Sequence, residues 1–166
     1  MISKKMEKAL NGQINNELYS AYLYLAMAAE AAGMGLNGAA QWLTVQWREE
    51  TGHAMKFFNY LLEQGNTPEL LPIAKPKTGF DSLLAMFEAV LKHEQFITGC
   101  IRELMSQAVA EKDYASQILL QWYVNEQVEE EKNATEILGM LKLAGSSGGA
   151  LLMIDRQLGK REFKAE

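Results

Sequence analysis

The pattern that decides the fold lies in residues 43–61, which read LTVQWREETGHAMKFFNYL. Within this stretch, mostly apolar residues recur at alternating steps of three and four, which is the spacing of one face of an amphipathic helix. That face carries Leu43, Trp47, Glu50, Ala54, Phe57 and Leu61. Glu50 therefore stands in the middle of an apolar stripe, and His53, three residues later, lies on the same side of the helix.

Three other segments have the same repeat, and each also has a glutamate near the middle of its stripe. The first segment carries Leu10, Ile14, Glu17, Ala21, Tyr24 and Ala28. The third carries Leu84, Phe87, Leu91, Glu94, Thr98, Ile101 and Met105. The fourth carries Leu120, Tyr123, Gln127, Glu130, Ala134, Ile137 and Leu141. The sequence therefore predicts four helices that each place one carboxylate in a shared core.

Glycine and proline residues separate these segments. The predicted helices span about residues 4–32, 38–64, 81–110 and 113–144. The break at 65–79 holds all three prolines, and fully extended it reaches ~50 Å, enough to run along a helix of about 40–48 Å. We therefore expect an all-α four-helix bundle with a long crossover between the second and third helices.

A short apolar segment follows the bundle, which spans 4–144. Residues from about 149 to 159 predict a fifth helix, with the apolar side chains Leu151, Leu152, Ile154 and Leu158. We expect the four-helix core to close without them, so that they bury against another subunit. The tail 160–166 is polar and is expected to face solvent. We interpret the whole chain, 1–166, as a single domain.

Composition and charge exclude several classes of protein. The 166 residues include 16 basic and 21 acidic side chains, and the resulting charge of −5 does not suit a nucleic-acid partner. Cys100 is the only cysteine, so no disulfide can form within the chain. No segment reads as an export signal or a membrane span. We therefore expect a cytoplasmic protein with no membrane partner.

The inward glutamates need compensation, because a buried lone carboxylate is costly unless it is neutralised, paired or bound to metal. Arg48 and Lys56 lie near Glu50 in the sequence but off its stripe, so no basic set can pair with four acids. A pair of metal ions bridged by Glu50 would satisfy them. Oxygen ligands with one imidazole suit iron, manganese or zinc. For any single glutamate, the alternative is a side chain that bends out to solvent.

These residues resemble those of a known family. The resemblance is carried by Glu17, Tyr24, the run Arg48-Glu49-Glu50-Thr51-Gly52-His53, Glu94, and the run Asn125-Glu126-Gln127-Val128-Glu129-Glu130-Glu131. The chain resembles the ferritins over nearly its whole length, and most of all the bacterial non-haem ferritins, so the resemblance implies a ferritin-like four-helix bundle. The resemblance implies iron storage and detoxification in a hollow shell of 24 subunits. It also implies a ferroxidase centre that oxidises Fe²⁺ with dioxygen or peroxide and supplies a ferric mineral.

The resemblance also assigns ligands to the iron sites. Iron A would be held by Glu17, Glu50 and His53. Iron B would be held by Glu50, Glu94 and Glu130, with Gln127 beside the pair and Tyr24 nearby. A third iron would be held by Glu49, Glu126 and Glu129 together with Glu130. The alternative for these outer acids is a solvated acidic face, to which we assign Glu131.

The sequence departs at several positions from the patterns of related iron proteins, and these departures argue against several protein classes. The fourth helix reads Gln127-Val128-Glu129-Glu130 and lacks the second Glu-x-x-His of many di-iron proteins. This argues against a bacterioferritin, a rubrerythrin, a ribonucleotide reductase, or an oxidase acting on an organic substrate. Thr51 stands where haem-binding bacterioferritins have methionine, so we expect no haem. Gln117 and Leu120 stand where animal ferritins have acidic residues that line their threefold channels. The resemblance therefore does not imply that iron enters this protein by that route.

Two other interpretations stay open, namely a non-enzymatic scaffold bundle and a mini-ferritin. A scaffold would carry leucine or isoleucine at the central positions instead of glutamate, and a mini-ferritin places its metals between subunits and lacks a fifth helix. Among the remaining residues, His93 is expected to be a packing or surface residue and Cys100 a buried small hydrophobe. Trp122 is expected to pack close to the centre.

Overall fold

The structure, a computed structural model, describes residues 2–164 and contains five helices in that range. They are α1 (Lys4–Gly33), α2 (Asn37–Glu63), α3 (Leu83–Ala110), α4 (Tyr114–Ala144) and α5 (Gly148–Leu158). Short turns join α1 to α2 and α3 to α4, and each of these pairs packs together along its length. The expected all-α bundle with a short fifth helix is confirmed.

The crossover between α2 and α3 runs along α1. Near the start of α1, the Asn11 side chain accepts a hydrogen bond from the Glu69 N–H at 2.8 Å. Near its end, the Glu30 carboxylate accepts from the N–H groups of Gly79 and Phe80 at 2.8 and 3.0 Å. The connection therefore spans the length of the bundle, as the proline-rich break predicts.

Side-chain caps explain where the helices begin. Four helices start at a residue whose side chain accepts a hydrogen bond from the N–H three positions on, namely Ser3, Ser82, Asp113 and Ser147. The exception is α2, whose N-cap residue Leu36 makes no such bond. Instead, Asp155 of α5 accepts from the Ala39 N–H at 2.8 Å. The fifth helix thus caps the second.

Two apolar clusters fill the bundle, one on each side of a polar layer. One contains Tyr24, Leu43, Phe87 and Leu138 together with the buried side of α5. The other contains Leu10, Phe57, Ile101 and Leu120 among others. The central glutamates lie between the two clusters, so most of the hydrophobic stabilisation comes from the ends of the bundle.

Helix α5 belongs partly to its own subunit's core, which corrects the expectation that the four-helix core closes without it. Ile154 and Leu158 are buried in the same cluster as Leu43, because the Asp155 cap holds α5 against the start of α2. Leu152 and Met153 remain 56% and 73% exposed. The apolar surface left for another subunit is therefore smaller than the sequence indicates.

A first prediction follows from the contact between α5 and α2. A β-carbon at Gly38 would lie 1.7 Å from the Asp155 carbonyl oxygen, a backbone atom. We therefore expect Gly38→Ala to lower the free energy of unfolding by about 1–3 kcal/mol, measured by guanidinium denaturation. The matched control is Gly139→Ala, an exposed helical position with open space around it, which should stabilise by about 0.5–1 kcal/mol. Equal effects at both sites would contradict this account of the α5 contact.

The C-terminal tail departs from the expectation of a solvent-facing segment at one residue. Lys160 and residues 162–164 are exposed, but the Arg161 side chain is only 20% exposed and contacts α2. Residues 165 and 166 lie outside the described residues. None of the helices within residues 2–164 is long and apolar enough to cross a lipid bilayer.

Candidate metal centre

The polar layer between the two clusters gathers residues from all four bundle helices. Its members are Glu17 and Tyr24 on α1, Gln46, Glu50 and His53 on α2, Glu94 on α3, and Gln127 and Glu130 on α4. All eight of these residues are at most 4% exposed. Each bundle helix thus contributes the central glutamate of its stripe to one enclosed site.

Glu17, Glu50 and His53 form the tightest group in the layer. One ligand atom from each lies within 4.8 Å of the others, and His53 Nδ1 lies 3.5 Å from Glu50 Oε2. Within residues 2–164, neither Glu17 Oε2 nor His53 Nε2 has a hydrogen-bond partner. Buried polar atoms are rarely left unsatisfied, so this pair of atoms is suited to a cation between α1 and α2.

Glu94 lies on the opposite side of the layer and is held from two directions. The Tyr24 hydroxyl donates a hydrogen bond to Glu94 Oε1. Gln127 Nε2 donates to Glu94 Oε2 at 3.1 Å and to its carbonyl oxygen at 3.2 Å. Tyr24 and Gln127 therefore fix the direction in which this carboxylate points.

Glu130 is held by Gln46, a residue outside the stripe predicted for the second helix. Gln46 Nε2 donates to Glu130 Oε2 at 2.6 Å and lies 3.4 Å from Glu50 Oε1. Gln46 thus connects the glutamates of α2 and α4. Its position four residues before Glu50, on the same helical face, was the signal available in the sequence.

Burial and mutual repulsion raise the pKa values of the central carboxylates. Desolvation is the largest cause for Glu17, Glu50, Glu94 and Glu130. Neighbouring carboxylates add to it, since Glu94 raises the pKa of both Glu50 and Glu130. Without a cation, the site therefore favours protonated acids, and a cation would favour their ionised forms.

Aromatic rings enclose the histidine. The His53 ring lies edge-on to Trp122 at 5.3 Å and to Tyr123 at 6.1 Å between ring centres. The Tyr123 hydroxyl donates to the His53 carbonyl at 2.7 Å. Trp122 thus lies beside the centre, as expected, and these rings restrict the orientation of the imidazole.

His93 and Cys100 lie outside the glutamate layer. His93 Nε2 is 2.7 Å from Ser20 Oγ, and the ring packs edge-on to Tyr24 at 6.1 Å. Desolvation lowers the pKa of His93 to about 4. His93 is thus a neutral packing residue near neutral pH, in agreement with the expected packing role. Cys100 is half-buried, and burial raises the pKa of its thiol.

The outer acids have different surroundings from the central four. Glu49 and Glu126 are half-buried, whereas Glu129 is exposed. Glu49 forms an ion pair with Arg161 of the tail, a partner that helical periodicity could not reveal. Glu131 accepts a hydrogen bond from Thr98 Oγ1 at 2.6 Å, so it contacts α3 as well as solvent.

Comparisons with known proteins show the family of the chain. The sequence model of the ferritin-like domain matches residues 7–144. A bacterial non-heme ferritin of Campylobacter jejuni is 41% identical over 95% of both chains. A probable bacterial non-heme ferritin-like protein of Haemophilus influenzae is 41% identical over 99% of this chain and all of its own.

Solved structures that share the fold of this chain are also ferritins. An open pore ferritin from the archaeon Archaeoglobus fulgidus is 48% identical over 98% of this chain and all of its own, with a TM-score of 0.97. A humanized archaeal ferritin is 49% identical over 99% of both chains, with a TM-score of 0.98. With four helices that each bring one glutamate to a buried centre, the chain belongs to the ferritin family.

Proposed function

We propose that this protein stores iron, and that its buried centre is a ferroxidase site that oxidises Fe²⁺ before storage. The observation that carries the proposal is the enclosed layer of four glutamates and one histidine, in which Glu17 Oε2 and His53 Nε2 lack partners within the described chain. A hard-oxygen site with one imidazole suits iron. Membership of the ferritin family supports iron as the physiological metal.

In this proposal, two Fe²⁺ ions enter the layer as substrates. Glu17, Glu50 and His53 hold the first, and Glu50, Glu94 and Glu130 hold the second. Each Fe²⁺ gives up one electron, and dioxygen with two protons accepts the pair of electrons to form hydrogen peroxide. The carboxylates favour the reaction because anionic ligands stabilise Fe³⁺ more than Fe²⁺.

The surrounding residues orient the ligands and exclude water. Tyr24 and Gln127 hold Glu94, and Gln46 holds Glu130, so the carboxylates need little reorganisation when a cation enters. Tyr24 is also the phenol nearest to Glu94 and is fully buried. We assign Tyr24 to positioning Glu94 during oxidation.

We further propose that the chains assemble into a hollow cytoplasmic shell of 24 copies that holds the ferric mineral, with no resident haem. Exposed apolar side chains occur on several sides of the subunit, among them Tyr22, Leu70, Leu152 and Met153. Surfaces of this kind support association with further copies. The proposal is tested by light scattering on the purified protein and by counting iron per particle after aerobic addition of Fe²⁺. A native mass near the 18.6 kDa of one chain, or particles that retain no iron, would contradict it.

A third iron site is part of the proposal and gives the second prediction. Glu49, Glu126 and Glu129 with Glu130 would hold this ion more weakly than the central pair, because water competes for less enclosed carboxylates. We expect the double variant Glu49→Gln/Glu126→Gln to keep two Fe²⁺ sites per chain and lose the third. The measurement is an anaerobic Fe²⁺ titration followed by an oxygen pulse, which also gives the ratio of Fe²⁺ oxidised to dioxygen consumed.

Glu130→Ala is the comparison for the double variant. It removes a ligand of iron B as well as of the third ion, so it should lose the second site and slow oxidation. If the double variant still binds three ions, or Glu130→Ala is no more severe, the outer acids are only a solvated face.

A further inference from the structure

We propose that the docked C-terminal tail opposes binding of the third iron. Arg161 is the positioning residue that controls the occupancy of this third site. The inference rests on the proposed function, because it concerns the binding of Fe²⁺ by Glu49 and Glu130. It assigns a role to residues 160–164, which lie in the segment 160–166 that the sequence predicts to be a solvated tail.

The geometry of Arg161 is that of a docked side chain. Its guanidinium forms an ion pair with Glu49 Oε2 and donates from Nη1 to Gln46 Oε1 at 2.5 Å. The two partners of the ion pair are only 20% and 15% exposed. The same guanidinium lies 4.4 Å from the centre of the Trp42 ring, which adds a cation–π contact.

The backbone of the tail is held as well. The Arg161 N–H donates to the Leu158 carbonyl at 3.1 Å, and the Lys160 N–H donates to the Gln157 carbonyl at 3.2 Å. The tail therefore continues from the end of α5 in an ordered turn, which directs Arg161 toward the middle of α2. Farther along the tail, the guanidinium carbon of Arg48 lies over the Phe163 ring, 5.8 Å from the centre of that ring.

Arg161 acts on the centre through Gln46. Because Arg161 donates to the amide oxygen, the amide nitrogen of Gln46 is directed inward, where it donates to Glu130 Oε2 at 2.6 Å. The chain of contacts runs from the tail through Gln46 to Glu130. With the tail docked, Arg161 contacts Glu49 directly and Glu130 through Gln46, and both acids are assigned to the third iron.

A third Fe²⁺ must therefore compete with Arg161. The ion needs the carboxylate of Glu49, and it brings two positive charges close to a guanidinium that cannot lose its own charge. Binding of the third ion and docking of the tail thus oppose each other. By linkage, whatever weakens docking strengthens third-site binding, and third-site binding weakens docking.

The first test is an anaerobic Fe²⁺ titration of assembled Arg161→Gln. We expect the third ion per chain to bind about tenfold more tightly, the gain from removing one charge-assisted contact, while the first two sites stay at the wild-type affinity. The matched control is Arg156→Gln, which removes an exposed arginine on α5 and should leave all three affinities unchanged.

The second test uses the wild-type shell and needs no oxidation. Hydrogen exchange of a peptide covering residues 159–164 is measured by mass spectrometry as Fe²⁺ is added without oxygen. Exchange should stay constant through the first two equivalents per chain and rise with the third. Constant exchange through the third equivalent, or an unchanged third site in Arg161→Gln, would overturn the role of Arg161 while leaving the two central sites intact. A wild-type protein that binds fewer than two ions per chain would instead overturn the proposed function, and this inference with it.

Discussion

Replacing Glu94 with glutamine is expected to slow the rapid oxidation of Fe²⁺ by about 100-fold. The substitution keeps the size of the side chain, and its amide oxygen can still accept from Tyr24, but an NH2 group replaces the oxygen that accepts from Gln127. The substitution also removes the negative charge assigned to iron B. With one anionic ligand fewer, the second Fe²⁺ binds more weakly and its Fe³⁺ product is less stabilised. The measurement is the initial rate of ferric product formation in a stopped-flow instrument at saturating dioxygen.

Glu88→Gln is the matched control, because Glu88 is an exposed acid on the same helix. It should oxidise Fe²⁺ at the wild-type initial rate. His53→Ala should resemble Glu94→Gln, since the imidazole is the one nitrogen ligand assigned to iron A. A wild-type rate in both Glu94→Gln and His53→Ala would show that oxidation occurs elsewhere, for example on the mineral surface.

The bundle could be predicted from the sequence because its signal is local. The alternation of three and four residues is repeated over four long segments, and the stripes of the first and fourth segments are buried throughout. In the second segment Trp47 is half-buried, and in the third the buried face lies about one residue earlier, so that Leu84, Leu91 and Met105 are half-buried. The crossover was equally predictable, because three prolines exclude a helix and the chain length matches the bundle. The same periodicity placed the four glutamates at one level, so the centre required no knowledge of tertiary contacts.

The features that the sequence did not reveal depend on how α5 returns to the bundle. Asp155 caps α2, and Arg161 reaches Gln46 and Glu49, over separations of more than a hundred positions. No periodicity relates an eleven-residue helix to the middle of α2. A short apolar helix after a closed bundle also indicates an intermolecular contact, whereas Ile154 and Leu158 are buried within the subunit. Contacts of this kind are decided by the direction of one turn at residues 145–147.

We also expect the charge of the central carboxylates to lower the free energy of unfolding without metal and to raise it when metal is bound. In the metal-free protein, burial and the neighbouring Glu94 and Glu50 raise the pKa of Glu130. Removing the charge with Glu130→Gln should therefore raise the free energy of unfolding at pH 8 by about 1–3 kcal/mol. The exposed Glu136 on the same helix provides the control, because Glu136→Gln should change stability by less than about 0.5 kcal/mol.

The sign of the pH dependence follows from the direction of the shift. A carboxyl whose folded pKa lies above its unfolded pKa binds more protons in the folded state, so stability falls as the pH rises between the two values. Below the unfolded pKa, the acid is neutral in both states and carries no penalty. The advantage of Glu130→Gln over wild type should therefore be present at pH 8 and disappear toward pH 4. An advantage that is independent of pH would mean that the substitution acts through packing alone.

Metal should then invert the order of the two proteins. A redox-inert ion such as Zn²⁺ at about 1,000 times its dissociation constant adds about 4.1 kcal/mol per site to a state that alone binds it. The variant lacks a ligand of one site and loses most of this gain there, which exceeds its advantage in the absence of metal. We therefore expect Glu130→Gln to be the more stable protein without metal at pH 8 and the less stable one with Zn²⁺, in calorimetric scans of the assembled particle. If the variant were more stable under both conditions, Glu130 would not be a metal ligand. If it were less stable under both, the carboxylate would be held by its hydrogen bond to Gln46 and not strained by burial.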